Sequence, residues 1–209
     1  MMRKLLLLGF CIALGGCAST DMTGFVDPQY KNYHASHVVV RVKGAKLDST
    51  FNAEKQFAEQ LAAHHVKVTK YSDLIPPTRS YSPSQETALL RKTGADSLLT
   101  IEITGKDTRE SYIPPTFHPG QTTTQINQIG NTAYATTYTS PGYTTGGYAV
   151  SSSVLNTLST LVDLKNGREI WRGEGRSSGD EISSINLILS AGGAAIEDLS
   201  EKGIVSKIK

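Results

Sequence analysis

A chain of 209 residues with 21 basic and 19 acidic side chains is nearly balanced in charge, which gives no reason to expect nucleic acid or an anionic surface as a charge-driven partner. Its two cysteines, Cys11 and Cys17, both lie near the start, so the rest of the chain has no thiol for a disulfide or a cysteine-based metal site. The stability of the rest must come from packing.

Arg3 and Lys4 supply a positive n-region, residues 5–14 an apolar run broken only by Gly9, and Gly15-Gly16 a small pair before Cys17. That is the layout of a secretory signal. The run is shorter than the ~20 apolar residues needed to cross a bilayer as a helix. Leu14-Gly15-Gly16-Cys17 resembles the lipobox of bacterial lipoproteins. The resemblance implies cleavage between Gly16 and Cys17, a thioether-linked diacylglyceryl group on Cys17, and acylation of the new amine. One acyl chain binds a membrane only marginally, at about 0.8 kcal/mol per buried CH₂, whereas two or three hold firmly. Cleavage removes residues 1–16, including Arg3 and Lys4 but no acid, and leaves 19 basic residues against 19 acidic ones. Ala18-Ser19 follow the cysteine with no Asp in second place. This is similar to lipoproteins sorted to the outer membrane. The expected location is therefore the cell envelope, lipid-anchored, at the outer membrane facing the periplasm in a Gram-negative cell.

Residues 17–36 read as a tether, punctuated by Gly24, Asp27-Pro28 and Asn32. A single domain is expected over 37–209. His37 to Lys43 is a β-branched strand with Val38, Val40 and Val42 on one face and Val39 and Arg41 on the other. Residues 50–65 carry Phe51, Glu54, Phe57, Ala58, Leu61, Ala62 and His65 at helical spacing, all but Glu54 and His65 apolar or small, one core stripe. His64 and His65 point ~100° apart on a helix and read as its solvated end rather than as a metal pair. Residues 66–71 alternate as a second strand. Ser82-Pro83-Ser84-Gln85 is a capping box opening a helix with Ala88, Leu89 and Leu90 as its contacts and Gly94 as its left-handed cap. Residues 97–104 form a third strand around Leu99, Ile101 and Ile103.

From Ser111 to Val162 there is no Asp, Glu, Lys or Arg. The middle of this stretch is Thr, Tyr, Gly, Gln and Asn, and it reads as an insertion at about 111–150. Thr132 to Thr139 alternates, with Tyr134, Thr136 and Tyr138 on one face. Pro114-Pro115, Pro119-Gly120, Ser140-Pro141-Gly142 and Gly146-Gly147 read as turns. Residues 151–163 form a fourth strand. Lys165-Asn166-Gly167 reads as a tight hairpin turn, the Asn-Gly pair supplying positive φ. Residues 169–175 return with Trp171 as the large side chain. The last helix spans about 180–202 with a stripe of Ile182, Ile185, Ile188, Leu189, Ala195, Ile196 and Leu199. Gly192-Gly193 weakens it by ~1 kcal/mol per glycine relative to Ala.

The order β-α-β-α-β-(insertion)-β-β-α defines an α/β two-layer sandwich, with a mixed sheet of about five strands and three helices. GADSLLTIEI (94–103), LSTLVDLKNGREIWRGEG (158–175) and a final helix ending DLSEKGI (198–204) resemble a broad group of bacterial envelope lipoproteins. Their domain is similar to that of the curli-secretion channel lipoprotein and to the amino-terminal domain of the Tol-system propeller protein. The resemblance implies the fold and carries no catalytic residues. In the curli channel, inserted hairpins build an oligomeric barrel. This insertion departs from that by being weakly apolar.

No phosphate-binding glycine loop, His-Glu-x-x-His pair or nucleophile elbow is present. His34, His37, His64, His65 and His118 are too scattered for a metal site to be read from spacing. Asp96 and Asp163 flank strands, where an Asp commonly closes a local turn. Trp171 is either a packing residue or a sugar platform. No catalytic, cofactor-binding or metal-binding residue is expected. The insertion is a solvated hairpin, an interaction surface, or a set of membrane-entering strands needing ~10 residues each. As a surface it would offer Tyr134, Tyr138, Tyr143 and Tyr148, together with Trp171. The expected function is a non-enzymatic envelope lipoprotein that scaffolds or binds another envelope protein or its own copies. The alternatives are a ring-forming channel or secretion component, and a glycan-binding module or enzyme.

Overall fold

The computed structural model describes residues 18–180 and 183–207. The expected signal peptide, its Gly16–Cys17 cleavage and the acylation of Cys17 lie outside the described residues. The described residues form two compact units, one combining residues up to Thr108 with those from Ser152 onward, the other Arg109–Ser151. The first is called the domain below and the second the insertion.

In chain order the elements are β1 (Ser19–Val26), β2 (His37–Lys43), α1 (Leu47–Ala63), β3 (Lys67–Lys70), the single turn α2 (Tyr71–Leu74), α3 (Pro83–Lys92) and β4 (Ser97–Ile113). Then come β5 (Thr116–His118), β6 (Thr122–Ile129), β7 (Thr132–Thr139) and β8 (Tyr143–Thr145), followed by β9 (Tyr148–Asp163), β10 (Glu169–Asp180) and α4 (Ser184–Glu201). The main sheet has six strands in the order β1-β10-β9-β4-β2-β3. β2 runs parallel to both neighbours, with Val40 opposite Leu99 in β4 and Lys70 in β3. Parallel pairing requires crossovers, and α1 and α3 supply them.

The sheet corrects the expected strand count and order. Its sixth strand, β1, comes from the stretch expected to be a tether and pairs antiparallel with β10 from Ser19↔Ser178 to Val26↔Trp171. A period of two is present there: Thr20, Met22, Gly24 and Val26 turn inward, while Asp21, Thr23 and Phe25 are exposed. Small and polar residues on the inward side hide this pattern from a hydrophobicity reading. The strand is held by polar contacts as well: the Thr20 hydroxyl lies 2.7 Å from both the Ser177 and Ser190 hydroxyls. The insertion contributes four further strands in two small sheets.

One face of the main sheet is covered by α1 and α4. Phe57 and Leu61 from α1 and Leu187, Ile188, Ala195, Ile196 and Leu199 from α4 bury against Val38, Val40, Leu99, Ile101, Leu155, Leu161 and Trp171. Each such large side chain contributes roughly 1.5–3 kcal/mol on burial. The other face holds a smaller cluster, in which Leu90 of α3 covers Val39, Leu98 and Leu164, with Tyr71 and Leu74 beside it. A short third layer thus extends the expected two. On the strands farther along, that face is polar, with Asp21 opposite Arg176 and Arg172 bonded to Glu169 at 2.7 Å.

Local chemistry sets the boundaries. The capping box of α3 forms as read: the Ser82 hydroxyl accepts from Gln85 N at 3.3 Å while Gln85 Oε1 accepts from Ser82 N at 2.9 Å. The turn before β10 is wider than an Asn-Gly hairpin. Only Gly167 has positive φ, and Asp163 and Asn166 each accept a backbone N–H two residues on, both at 2.8 Å. Two successive Asx contacts therefore replace the tight turn.

In the insertion, β6 and β7 pair from Thr122↔Thr139 to Ile129↔Thr132, and β5 pairs with β8. Gly130 at φ 62° opens the two-residue Gly130-Asn131 link, the position where a II′ hairpin turn requires glycine. The four proline and glycine clusters expected as turns all fall between strands.

Candidate interaction surface

The β6–β7 hairpin is built from Thr, Tyr and Ile, residues that favour a pleated backbone. The register fixes its two faces. One carries a threonine ladder, with hydroxyls of Thr122 and Thr139 at 3.3 Å and of Thr124 and Thr137 at 3.1 Å, continued by Ile126. The other carries Ile129, Tyr134 and Tyr138. Every residue of both strands is exposed, Tyr134 by 56% and Tyr138 by 63%. Tyr143 stacks on His118 at 4.7 Å between centroids, and Tyr148, Tyr112 and Phe117 are also exposed.

An isolated two-stranded hairpin is marginal in water. Sheet edges are ordinarily guarded by charge, proline or a covering element. Here neither strand has a charged residue or a proline, and among the described residues no third strand pairs with either. Open backbone edges, exposed aromatic rings and absent charge coincide on one element. Tyrosine offers large, rigid contact area with a polar tip, at low entropy cost.

The structure separates the five residues expected on this surface. Tyr134, Tyr138, Tyr143 and Tyr148 are exposed. Trp171 belongs to the domain core, 1% exposed, and its indole N–H donates to Asp198 Oδ2 at 2.7 Å. It presents no ring face for a sugar. Ile126, Ile129 and Phe117 were missed as surface residues. Their signal was a large apolar residue set among Thr, His, Gln and Asn in a chain stretch lacking Asp, Glu, Lys and Arg.

Asp96 acts as a staple. Its carboxylate accepts from the backbone N–H and hydroxyl of Ser36 at 2.7 and 2.6 Å, from His37 N at 3.0 Å, from the Ser97 hydroxyl at 2.9 Å and from the Tyr33 hydroxyl at 3.2 Å. Burial alone would push this carboxyl up, but the bonds from Ser36, His37 and Ser97 together hold it below the usual range. Burial, in turn, drives the Tyr33 hydroxyl well above its ordinary value. With five donors in place, Asp96 joins the segment before β2 to the start of β4. Asp163 serves its own turn and accepts from the Tyr30 hydroxyl at 3.4 Å.

The histidines are likewise engaged singly. His34 Nδ1 lies 2.6 Å from the Gly203 carbonyl, His37 Nε2 2.9 Å from the Thr69 hydroxyl and His64 Nδ1 2.6 Å from the Ser206 carbonyl. His64 is buried beneath that C-terminal segment, which corrects the expected solvated helix end; of the His64–His65 pair only His65 is exposed, with φ 60°. Among the described residues no three His, Cys, Asp or Glu side chains converge as metal ligands.

No family model matches this chain, and no curated protein does. Among solved structures it is similar to PelC from Paraburkholderia phytofirmans, a dodecamer. In one crystal form the identity is 13%, with 90% of this chain and 99% of that one covered and a TM-score of 0.47. A PelC variant dodecamer gives 15% identity, 87% and 96% coverage, and a TM-score of 0.45. Lipoprotein GNA1162 from Neisseria meningitidis gives 15% identity, 79% and 99% coverage, and a TM-score of 0.42. Likenesses at this level decide neither the architecture nor the activity of this chain.

Proposed function

We propose that this protein is a non-enzymatic, lipid-anchored envelope protein that works by assembly, using its charge-free insertion to join copies of itself or a second envelope protein. The lipobox at Leu14–Cys17 supports the address, as does the resemblance of residues 94–103, 158–175 and 198–204 to envelope lipoproteins. The observation that carries the assembly is the β6–β7 hairpin: two-faced exposure, open edges and no charge from Ser111 to Val162. Such an element buries its apolar surface and satisfies its edges by pairing with another chain. Asp96, with five donors from its own chain, is used as a structural staple, which fits a protein that works by assembly.

The test is the mass of the acylated protein in mild detergent by native mass spectrometry, followed by photocrosslinking from Tyr138 in envelopes. A discrete oligomer supports self-assembly and leaves a ring open as its form. A monomer crosslinked to one defined envelope protein supports hetero-assembly. A monomer with no specific crosslink overturns the proposal.

A further inference from the structure

We infer that the domain is docked on the membrane in one orientation rather than hung from a tether, with the end of the domain that holds Ala18, Ser178 and Lys106 turned toward the lipid headgroups. The inference rests on the acylation of Cys17 proposed above. Cys17 is joined to Ala18 by one peptide bond, and β1 begins at Ser19. Two residues span at most about 7 Å. A flexible tether of some 18 residues would instead let the domain wander by roughly 25 Å.

The strand is built into the domain from its first residue. Ser19 pairs with Ser178, the Ser190 hydroxyl of α4 donates to the Ala18 carbonyl at 3.4 Å, and Thr20 bonds to Ser177 and Ser190. Met22 packs on the main core. Releasing this strand would expose the backbone edge of β10 and undo the packing over it. The acyl chains are therefore attached almost directly to a rigid sheet, and β1 runs away from the bilayer.

The register tells which residues share that end. Ser178 lies opposite Val154 in β9, and Asn156 Nδ2 donates to Asp107 Oδ2 in β4 at 3.4 Å. Lys106 donates to the Ser184 hydroxyl at the start of α4, at 2.6 Å. Ser153, Ser178 and Ser184 lie near the rim of this end, with the Lys106 and Asp107 side chains beside them. The opposite end holds the turn at Lys165, since Leu164 N donates to the Asp96 carbonyl at 2.9 Å. Ten residues of strand separate Asp96 from Lys106, roughly 30 Å. Ser152 pairs with Asp180 at this end as well.

The test uses the acylated full chain in vesicles of phosphatidylethanolamine and phosphatidylglycerol. Once residues 1–16 are cleaved and Cys17 is acylated, no free thiol remains, so Lys106→Cys and Lys165→Cys each accept one fluorophore. Lys106 shares the anchored end of the domain and Lys165 lies at the other, so the ratio reports orientation and the linker variant separates docking from mere attachment. A headgroup-linked quencher should quench the label at 106 several-fold more than the label at 165. A flexible Gly/Ser linker inserted between Ala18 and Ser19 should bring the ratio to one. Equal quenching in the linker-free protein, with the acyl mass on Cys17 confirmed by mass spectrometry of its N-terminal peptide, overturns the orientation and leaves the anchor standing. Absence of that acyl mass removes both.

Discussion

Two antiparallel hairpins of this chain show what a buried face does. In β9–β10 the residues alternate between a core side, with Leu155, Leu161 and Trp171 buried, and a solvent side carrying Arg172, Glu174 and Arg176. A slip of one residue would turn the whole set over, so burial fixes its register. The β6–β7 hairpin alternates just as regularly but has no buried residue and no charge. Its two sides differ in shape, threonines and Ile126 against tyrosines and Ile129, rather than in polarity. The first hairpin is specified by its own chain. The second is specified only locally, by a glycine turn and β-favouring side chains, and gains a preferred face when something covers it.

The largest effect expected is at Trp171. Truncation to Ala empties a fully buried site and should cost about 3–5 kcal/mol in urea unfolding. Trp171→Phe keeps most of the volume but takes the indole donor from Asp198 Oδ2 while Lys202 still holds Oδ1, at about 1 kcal/mol. A loss under ~1 kcal/mol for the Ala variant would break the contrast between the hairpins.

Next comes Asp96→Asn, which sets an amide N–H₂ among five donors and should cost about 1–3 kcal/mol at neutral pH. The sign with pH follows from the lowered carboxyl. The native state binds the Asp96 proton less readily than the unfolded chain, whose value is near 3.8. Its stabilisation is complete above that value and is lost as pH falls through the folded one. Urea midpoints from pH 7 to pH 3 should therefore show the gap between native and Asn variants holding, then closing below about pH 4.

Smaller still is the contrast between adjacent glycines of α4. A Cβ at Gly192 would overlap the buried Phe57 ring, whereas at Gly193 it would meet only Gln60 Oε1 at 3.8 Å. Ala gains ~1 kcal/mol of helix propensity at either position. Overpacking costs roughly 1–3 kcal/mol at the first alone. Gly193→Ala should raise the thermal midpoint and Gly192→Ala should lower it; two shifts of the same sign would contradict the close approach.

Much of the domain was legible because its residues carry two signals at once. The Val38–Val40–Val42 face, the Ser82–Gln85 box and the α4 stripe from Ile185 to Leu199 reappear, the helix starting at Ser184 and Ile182 lying outside the described residues. β1 was not legible, since Thr20 and Gly24 occupy inward positions that a larger apolar side chain would have announced. Their reason lies in partners distant in sequence, Ser177 and Ser190 for Thr20. Trp171 illustrates the limit from the other side: its size is visible in the sequence, but the choice between core and surface depends on Asp198, 27 residues on. In the insertion, strand positions followed from alternation and punctuation, while the role of Ile126 and Ile129 needed the register.

The smallest effect on stability separates the two hairpins most cleanly. Tyr134→Ser with Tyr138→Ser removes two exposed rings and no buried contact, so domain unfolding should move by less than ~0.5 kcal/mol. Assembly should respond differently, because a tyrosine at an interface covers area that serine leaves wet, and the loss of two anchors weakens association at least tenfold at ~1.4 kcal/mol. Native mass spectra of the double variant at the concentration where the wild-type complex is half formed read this directly. Retained folding with a lost complex places the association energy on the tyrosine face. An undiminished complex moves it to the threonine face, where Thr124→Lys would then introduce a charge within the ladder and should disperse the assembly instead.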